Sequence, residues 1–478
     1  MNNSYSDVII IGAGSGGLSV GLFLAKVGIN VTMIAKSDRE IGGECLNDGC
    51  VPSKALIHVA GLVHAARQAE IFGLRVNGEV DIQKVIAYVH DRQKIIRNHE
   101  NASWLKEQGI TVVLGEASFA GKHAVEVNGN TYSAKKIVLA TGSKPRKLKI
   151  EGSGLVHYLD NENIFQIQQL PKKLLVIGGG PIGIEIAQAM NRLGSEVTVI
   201  EEGSGILSHD DKTLTSILLK RLQTEGIIFH FEESLKKFTS PNEAILEKKN
   251  GEVLQLSFDA VFVGIGRVLK LEPLKLEKAG IEVKDYKIIV DDRLRTTNKD
   301  VMVCGDVAGD LQFSHTAEHH GRIILNNLFS PLNKKLNNDH MSWVTFTDPQ
   351  LATFGLNEEE LKKRGIQHIK LEQDFSEDDR AVTDNYQYAH MILYISKDNF
   401  FKKERILGGS MIAPNAGEFI QELILANTSG LSTNSIFNKI YPYPVASRIN
   451  QQLIVKHKEK SLTSGLKKIL QFAFKLFS

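Results

Sequence analysis

Short apolar runs broken by glycine turns set the rhythm of this chain. Asp7-Val8-Ile9-Ile10-Ile11 is a β-branched run of strand length, and Gly12-Ala13-Gly14-Ser15-Gly16-Gly17 follows at once. Apolar residues at helical spacing then run from Leu18 to about Val27, so the order predicted is strand, glycine turn, helix. The unit recurs at Leu174-Leu175-Val176-Ile177, with Gly178-Gly179-Gly180-Pro181-Ile182-Gly183 and a helix through Met190. This order is the context that a dinucleotide-binding fingerprint requires. The first glycine, Gly12 or Gly178, permits the tight turn, and the second, Gly14 or Gly180, lets backbone approach a pyrophosphate. The third, Gly17 or Gly183, lets helix pack on strand. A helix N-terminus offers free N–H groups and a positive dipole end to the phosphates. Two such units predict an α/β protein with two Rossmann-like domains and two bound nucleotides.

The strands that follow refine this. In the second unit, Glu196 to Ile200 reads as a strand ending in Glu201, 23 residues after Gly178. That spacing suits the acid that grips a ribose 2′-hydroxyl. No arginine follows in Glu202-Gly203-Ser204, so a 2′-phosphate would meet carboxylates, and NADH is expected in preference to NADPH. In the first unit the position 23 on from Gly12 is Ala35, so Asp38 or Glu40 would have to stand in for the missing acid. Ile137-Val138-Leu139-Ala140-Thr141-Gly142 reads as a buried strand ending in a glycine turn, and Ala260 to Gly266-Arg267 repeats that pattern. Val301-Met302-Val303-Cys304-Gly305-Asp306 is a further strand, ending in an acid.

A length of 478 residues accommodates about three domains of ordinary size. The formal net charge of +2 sets up no field that would draw nucleic acid. With three cysteines the chain is no secreted disulfide scaffold and suits a reducing cytoplasm. Residues 1–7 lack the basic region of a signal peptide, and the run Val8 to Ile11 is far too short to span a bilayer. Two of the cysteines, Cys45 and Cys50, stand with four residues between them in Gly42-Gly43-Glu44-Cys45-Leu46-Asn47-Asp48-Gly49-Cys50-Val51-Pro52-Ser53-Lys54. Beside a nucleotide site, such a pair reads as a dithiol/disulfide exchanging electrons with the cofactor. A zinc site would need roughly two further ligands at finger-like spacing, and Cys304 stands alone. A structural bridge over this short loop is the remaining alternative, and no metal site is expected.

Together these motifs resemble the two-cysteine pyridine nucleotide-disulfide oxidoreductases, the family of dihydrolipoamide dehydrogenase, glutathione reductase and mercuric reductase. The Gly12 fingerprint, the Cys45 to Lys54 segment, Ala140-Thr141-Gly142, the Gly178 fingerprint with Glu185, and Gly264-Ile265-Gly266-Arg267 stand in the family's order. Gly305-Asp306-Val307-Ala308-Gly309 and Val344-Thr345-Phe346-Thr347-Asp348-Pro349 continue it. The resemblance implies one FAD per subunit on residues 1–150 and 268–340, NAD(P)H on 151–267, and an α+β domain over 341–458 that pairs two subunits in a homodimer. It implies that Cys50 lies against the flavin as a thiolate, that Cys45 is the outward-facing interchange thiol, and that Lys54 and Glu185 pair near the flavin's reactive nitrogen. Asp306 would accept a hydrogen bond from the ribityl chain, with Thr141, Gly142 and Gly266 in the cofactor-binding turns.

The pattern breaks in one place. Disulfide-reducing members carry a His-Pro-Thr segment followed by Glu, supplied to the active site by the partner subunit. Here Ile440-Tyr441-Pro442-Tyr443-Pro444-Val445-Ala446-Ser447-Arg448 puts Tyr443 at the histidine and Arg448 at the acid, and the alternative histidine position, 441, is also tyrosine. A tyrosine near the active cysteines, Gln312-Phe313-Ser314-His315 and Asp379-Arg380-Ala381-Val382-Thr383-Asp384 all resemble the mercuric-reductase-like branch. The C-terminal cysteine pair of true mercuric reductases is absent, since no cysteine follows Cys304. The expected acceptor is a disulfide or other small molecule that the sequence does not identify; a reductase of soft metal ions is the alternative, and a redox sensor with slow turnover and a membrane-docking tail is the reading from another class. His315, His319 and His320 are expected to pack or hydrogen-bond on a helix. The tail, 459–478, is basic and amphipathic, with Leu466, Ile469, Leu470, Ala473 and Phe477 opposite Lys467, Lys468, Gln471 and Lys475. That is the pattern of an interfacial membrane helix, or of a helix docked on its own dimer.

Overall fold

A computed structural model of the chain describes residues 4–248, 250–397, 403–460 and 462–477. It forms two compact units, one of Met1–Ile206 with Glu225–Leu336 and one of Leu207–Thr224 with Asn337–Ser478.

The first unit contains two sheets built on parallel strands in the same design, the first of them extended beyond Asn130–Leu139 by the antiparallel strands Ala124–Val127 and Ala117–Gly121. In one, Ser4–Ile11 lies between Val31–Ala35 and Asn130–Leu139, parallel to both. Thr111–Leu114 extends this sheet beyond Val31–Ala35. Val301–Val303 returns from late in the chain to pair with Asn130–Leu139, Val301 opposite Ile137. These strands are covered on both faces, which is why Ile9, Ile10, Ile137, Val138 and Val303 form continuous apolar runs in one core. The other sheet runs Ile228–Phe231, Glu196–Glu201, Lys173–Ile177, Ala260–Val263, again all parallel. An antiparallel meander of Glu233–Ser240, Glu243–Lys248 and Val253–Ser257 accompanies it.

The two fingerprints fold alike because their glycines meet the same steric demand. Gly12 and Gly178 both sit at φ +108°, where a side chain is strained. A Cβ on Gly12 would lie 2.2 Å from the Ala140 carbonyl oxygen, and one on Gly178 would lie 2.4 Å from that of Gly264. Each fingerprint thus closes against the strand-end turn that the sequence shows as a separate motif. Gly17 and Gly183 face the carbonyls of Gly12 and Gly178 at 2.0 and 2.1 Å from where a Cβ would be. The helices Ser15–Lys26 and Pro181–Leu193 follow directly.

The second unit is a five-stranded antiparallel sheet in the order Ser342–Thr345, Gln350–Gly355, Ile406–Ala413, His390–Ser396, His368–Asp374. Leu423 and Ala426 of the helix Gln421–Thr428, with Ile449, Leu453 and Ile454 of the helix Arg448–Lys460, join its core. Residues 207–224 cluster with this unit, whereas the sequence reading kept them inside 151–267. The reason is specific: Asp210 Oδ1 accepts hydrogen bonds from Trp343 Nε1 at 2.9 Å and Thr353 Oγ1 at 2.8 Å. The Arg221 guanidinium also lies 4.4 Å above the Tyr388 ring. Among the described residues no helix is long and apolar enough to cross a membrane.

Candidate active site

The cysteine segment is fastened to the first fingerprint. The Gly42 N–H donates to the Ala13 carbonyl at 2.9 Å, and a Cβ on Gly43 would stand 2.6 Å from Gly14 Cα. Cys45 lies in the short helix Gly43–Asn47, and Cys50 opens the long helix Cys50–Gln68 behind Gly49. Both are free thiols in this structure, Cys50 exposed and Cys45 half-buried. Cys45 donates to Cys50, and Ser314 Oγ stands 3.6 Å from the Cys50 sulfur. The hydrogen bond from Cys45, with further help from Ser314 and the Lys54 charge, brings the Cys50 thiol down to about 6 against the opposing effect of burial. A helix N-terminus acts in the same direction. Cys45 is pushed well above the usual thiol range by its bond to Cys50 and by burial. At neutral pH one thiolate is therefore placed on Cys50, with the proton on Cys45.

One helical turn after Cys50, Lys54 Nζ lies 2.7 Å from Glu185 Oε2. Glu185 is buried on the helix Pro181–Leu193, so the pair joins the cysteine helix to the second fingerprint. Lys54→Met removes the cation bound to this carboxylate and is expected to destabilise the protein by about 2 kcal/mol. That is less than for a fully buried pair, because Lys54 is part-exposed. Thermal unfolding checks this: Lys54→Met should lower Tm, and Lys54→Met with Glu185→Leu should recover most of the loss. A single variant as stable as the wild type would show that the pair contributes nothing.

A second network was not foreseen from the sequence. Glu44, next to Cys45, makes a two-point ion pair with the Arg267 guanidinium and accepts from Asn161 Nδ2 at 2.8 Å. Arg267 Nε donates to Ser143 Oγ at 2.7 Å and lies 3.6 Å from Asp306 Oδ2, to which the Ser143 hydroxyl also donates. Burial pushes the Glu44 carboxyl up to about 7, against the pull of Arg267. The motif residues Arg267 and Asp306 were legible in the sequence. Their meeting with Glu44, Ser143 and Asn161 was not, since no local spacing links them. Ser314 carried a signal only as part of the Gln312 to His315 motif.

The remaining residues fall as follows. The helix Ser15–Lys26 begins behind Gly14 with no side-chain cap, leaving its first N–H groups to a ligand. Gly142, at φ +66°, and Gly180 both have open space where a Cβ would stand, as does Gly266, and Thr141 is exposed. Glu201 takes the N–H of Gly179 on one carboxylate oxygen at 2.6 Å and that of Gly203 on the other at 2.7 Å. This aims it over the glycine turn with acceptor capacity left for ribose hydroxyls. These cradles fit two dinucleotides. At the first ribose position Ala35 is buried, Asp38 accepts the Ala102 N–H at 2.7 Å, and Glu40 is exposed. His320 is buried with Nδ1 accepting the Gly305 N–H at 3.2 Å, and His315 stacks on Phe313. In the second unit, Tyr441 donates its phenol to Glu422 at 2.6 Å and Tyr443 to Asp379 at 3.1 Å, with Arg448 against the Tyr443 ring.

A fold with two nucleotide cradles, a dithiol fastened to the first and an α+β unit after them defines a class of flavin- and pyridine nucleotide-dependent reductases. Comparison with known proteins agrees. The pattern described as pyridine nucleotide-disulphide oxidoreductase matches residues 6–321, and the dimerisation domain of that family matches residues 341–453. The chain belongs to the pyridine nucleotide-disulphide oxidoreductase family. It is 34% identical over 450 residues to a dihydrolipoyl dehydrogenase of Thermus scotoductus, covering 92% of this chain and 95% of that one. It is 30% identical over 447 residues to a mercuric reductase of Lysinibacillus sphaericus, covering 93% and 81% respectively. Among solved structures, the HOCl-induced flavoprotein disulfide reductase RclA of Escherichia coli superposes with a TM-score of 0.83 at 25% identity, over 94% of this chain and 99% of that one. The protein is thus an FAD-dependent oxidoreductase that uses a pyridine nucleotide and carries the family's dimerisation domain.

Proposed function

We propose that this enzyme takes two electrons from NADH, passes them to the Cys45–Cys50 disulfide, and delivers them to a small acceptor, a thiophilic metal ion being favoured over an organic disulfide. The bound flavin supplies hydride acceptance and onward electron transfer. The protein's residues do the rest. Lys54, held by Glu185, is the cation beside the reacting centre and stabilises negative charge there. Reduction of the disulfide by the hydride of NADH leaves Cys50 as the thiolate and Cys45 with its proton, and no further proton is consumed. Binding of a divalent soft metal by both sulfurs releases the Cys45 proton. Two electrons then pass to the metal as the disulfide re-forms.

The observation that carries the preference for a metal is the state of the two tyrosines. Exchange with an organic disulfide needs an acid to protonate the leaving thiol. Tyr441 and Tyr443 already donate their only protons to Glu422 and Asp379; burial, with Glu422, pushes the Tyr441 phenol above its usual range, and the Asp379 carboxylate does the same to Tyr443. Neither is suited to proton transfer near neutral pH. A metal ion bypasses that requirement, and the RclA reductase of Escherichia coli has been solved as a Cu(II) complex. The deciding assay is NADH oxidation with mercuric and cupric ions, lipoamide, glutathione disulfide, quinones and oxygen in parallel. Turnover with lipoamide as fast as with the metals would defeat the preference.

Nucleotide choice rests on Glu201. Its two backbone contacts hold the carboxylate where a ribose 2′-hydroxyl would meet it and a 2′-phosphate would be repelled. Glu201→Ala is expected to raise the KM for NADH roughly 10-fold, the scale of one hydrogen bond to a charged group, and to leave that for NADPH unchanged or lower. Equal effects on both nucleotides would contradict this role.

A further inference from the structure

The helix Ser464–Phe477 differs from the other long helices of its unit in having no buried residue. The neighbouring helix Arg448–Lys460 buries Ile449, Leu453 and Ile454 in the core. In Ser464–Phe477, by contrast, Ile469, Phe472, Phe474 and Phe477 are 64%, 68%, 73% and 86% exposed. Their arrangement is ordered. At helical spacing, Leu466, Ile469, Leu470, Phe472, Ala473, Phe474, Leu476 and Phe477 fill an apolar arc of roughly 200°. Lys467, Lys468, Gln471 and Lys475 occupy the rest, and the helix carries no acidic residue.

We propose that this helix docks the enzyme on the surface of anionic lipid bilayers, lying in the interface with its phenylalanines among the acyl chains and its lysines at the headgroups. Length decides the orientation: 14 residues of helix reach about 21 Å, short of the hydrocarbon core, so the helix lies flat and does not span. Charge decides the partner. Residues 456–475 hold six lysines against one glutamate, which complements anionic headgroups. Three phenylalanines on one arc bordered by lysines form the side-chain layout that seats at a membrane–water boundary. An isolated helix of this length is marginal in water, so burying the apolar arc in the bilayer also stabilises the helix itself. The proposal is independent of which acceptor the dithiol serves.

The test is vesicle flotation of the full-length, FAD-loaded protein with phosphatidylcholine alone and with a phosphatidylglycerol–phosphatidylcholine mixture. Co-flotation is expected with the anionic vesicles, weaker on the order of 10²-fold with neutral ones, and reduced by added salt. Replacing Lys467, Lys468 and Lys475 together by glutamate should abolish it. Ile469→Ser with Phe472→Ser should abolish it too, leaving dimer mass and NADH oxidation unchanged, because none of these residues is buried. Absence of co-flotation, or binding indifferent to both sets of changes, would overturn the proposal. So would a dimer that dissociates when residues 464–477 are removed, since the apolar arc would then cover a second copy of the chain.

Discussion

Cys50→Ser is expected to abolish NADH-dependent reduction of every acceptor that draws electrons through the dithiol. The loss should be on the order of 10⁴-fold or more, as when one member of a catalytic unit is removed. NADH binding should survive, because the second cradle is separate from the thiols. The variant also tests which sulfur holds the negative charge. With Cys50 brought down to about 6, it is thiolate over thiol by about ten to one near neutral pH. In the reduced, FAD-loaded enzyme, the long-wavelength absorption of a thiolate facing an oxidised flavin should persist above about pH 6 and fade below it. Cys45→Ala removes the main hydrogen bond to that thiolate, so the midpoint should move up toward the ordinary thiol value of 9.0. Ser314→Ala should move it in the same direction by less. Survival of the band in Cys50→Ser would exchange the roles of the two thiols. The same shift links to stability: an unfolded thiol titrates near 9.0 and the folded Cys50 near 6, so folding releases a proton between them. The reduced protein should therefore gain stability as pH rises across that window and lose it as pH falls through 6.

Installing the missing acid–base pair should enlarge the acceptor range. Tyr443→His with Arg448→Glu is expected to raise kcat for lipoamide by roughly 10²-fold, the lower end of what general acid–base catalysis supplies. Metal-ion turnover should change little. The reason lies in proton availability: a histidine exchanges its proton near neutral pH, whereas the phenol of Tyr443 is held on by the Asp379 carboxylate. Tyr441→His is the control for the alternative position, where Glu422, already bonded to Tyr441 and Asn450, would orient the new imidazole. Measuring kcat and KM separately distinguishes proton transfer, which moves kcat, from better binding. If neither variant gains on lipoamide while both stay folded, the two tyrosines are not what restricts disulfide turnover.

How much of this was legible in advance follows from the range of each interaction. The strands Ser4–Ile11 and Lys173–Ile177, their glycine turns and helices are local patterns, because doubly covered strands must be apolar throughout and tight turns admit only glycine. The sequence alone also picked out the candidate redox pair, the lysine one turn beyond it, Glu201 as the candidate ribose acid, and tyrosines where the family's histidine dyad is expected. It could not show the attachment of Asp210 to Trp343 and Thr353, which depends on residues more than a hundred positions away.

The tertiary structure alone shows what surrounds the two cysteines, and its hydrogen bonds and burial favour the negative charge on Cys50, the sulfur that the family resemblance already pointed to. Ser314 reaches Cys50, and Glu44 meets Arg267, only because the fold of the first unit brings together residues 264 and 223 positions apart. Burial and hydrogen bonding then set the protonation of those groups, and neither can be read from spacing. The tail is the converse case. Its amphipathic pattern was fully visible in sequence, but a pattern predicts burial without naming the cover. Only the fold, which completes its core without Ser464–Phe477, leaves that apolar arc facing outward.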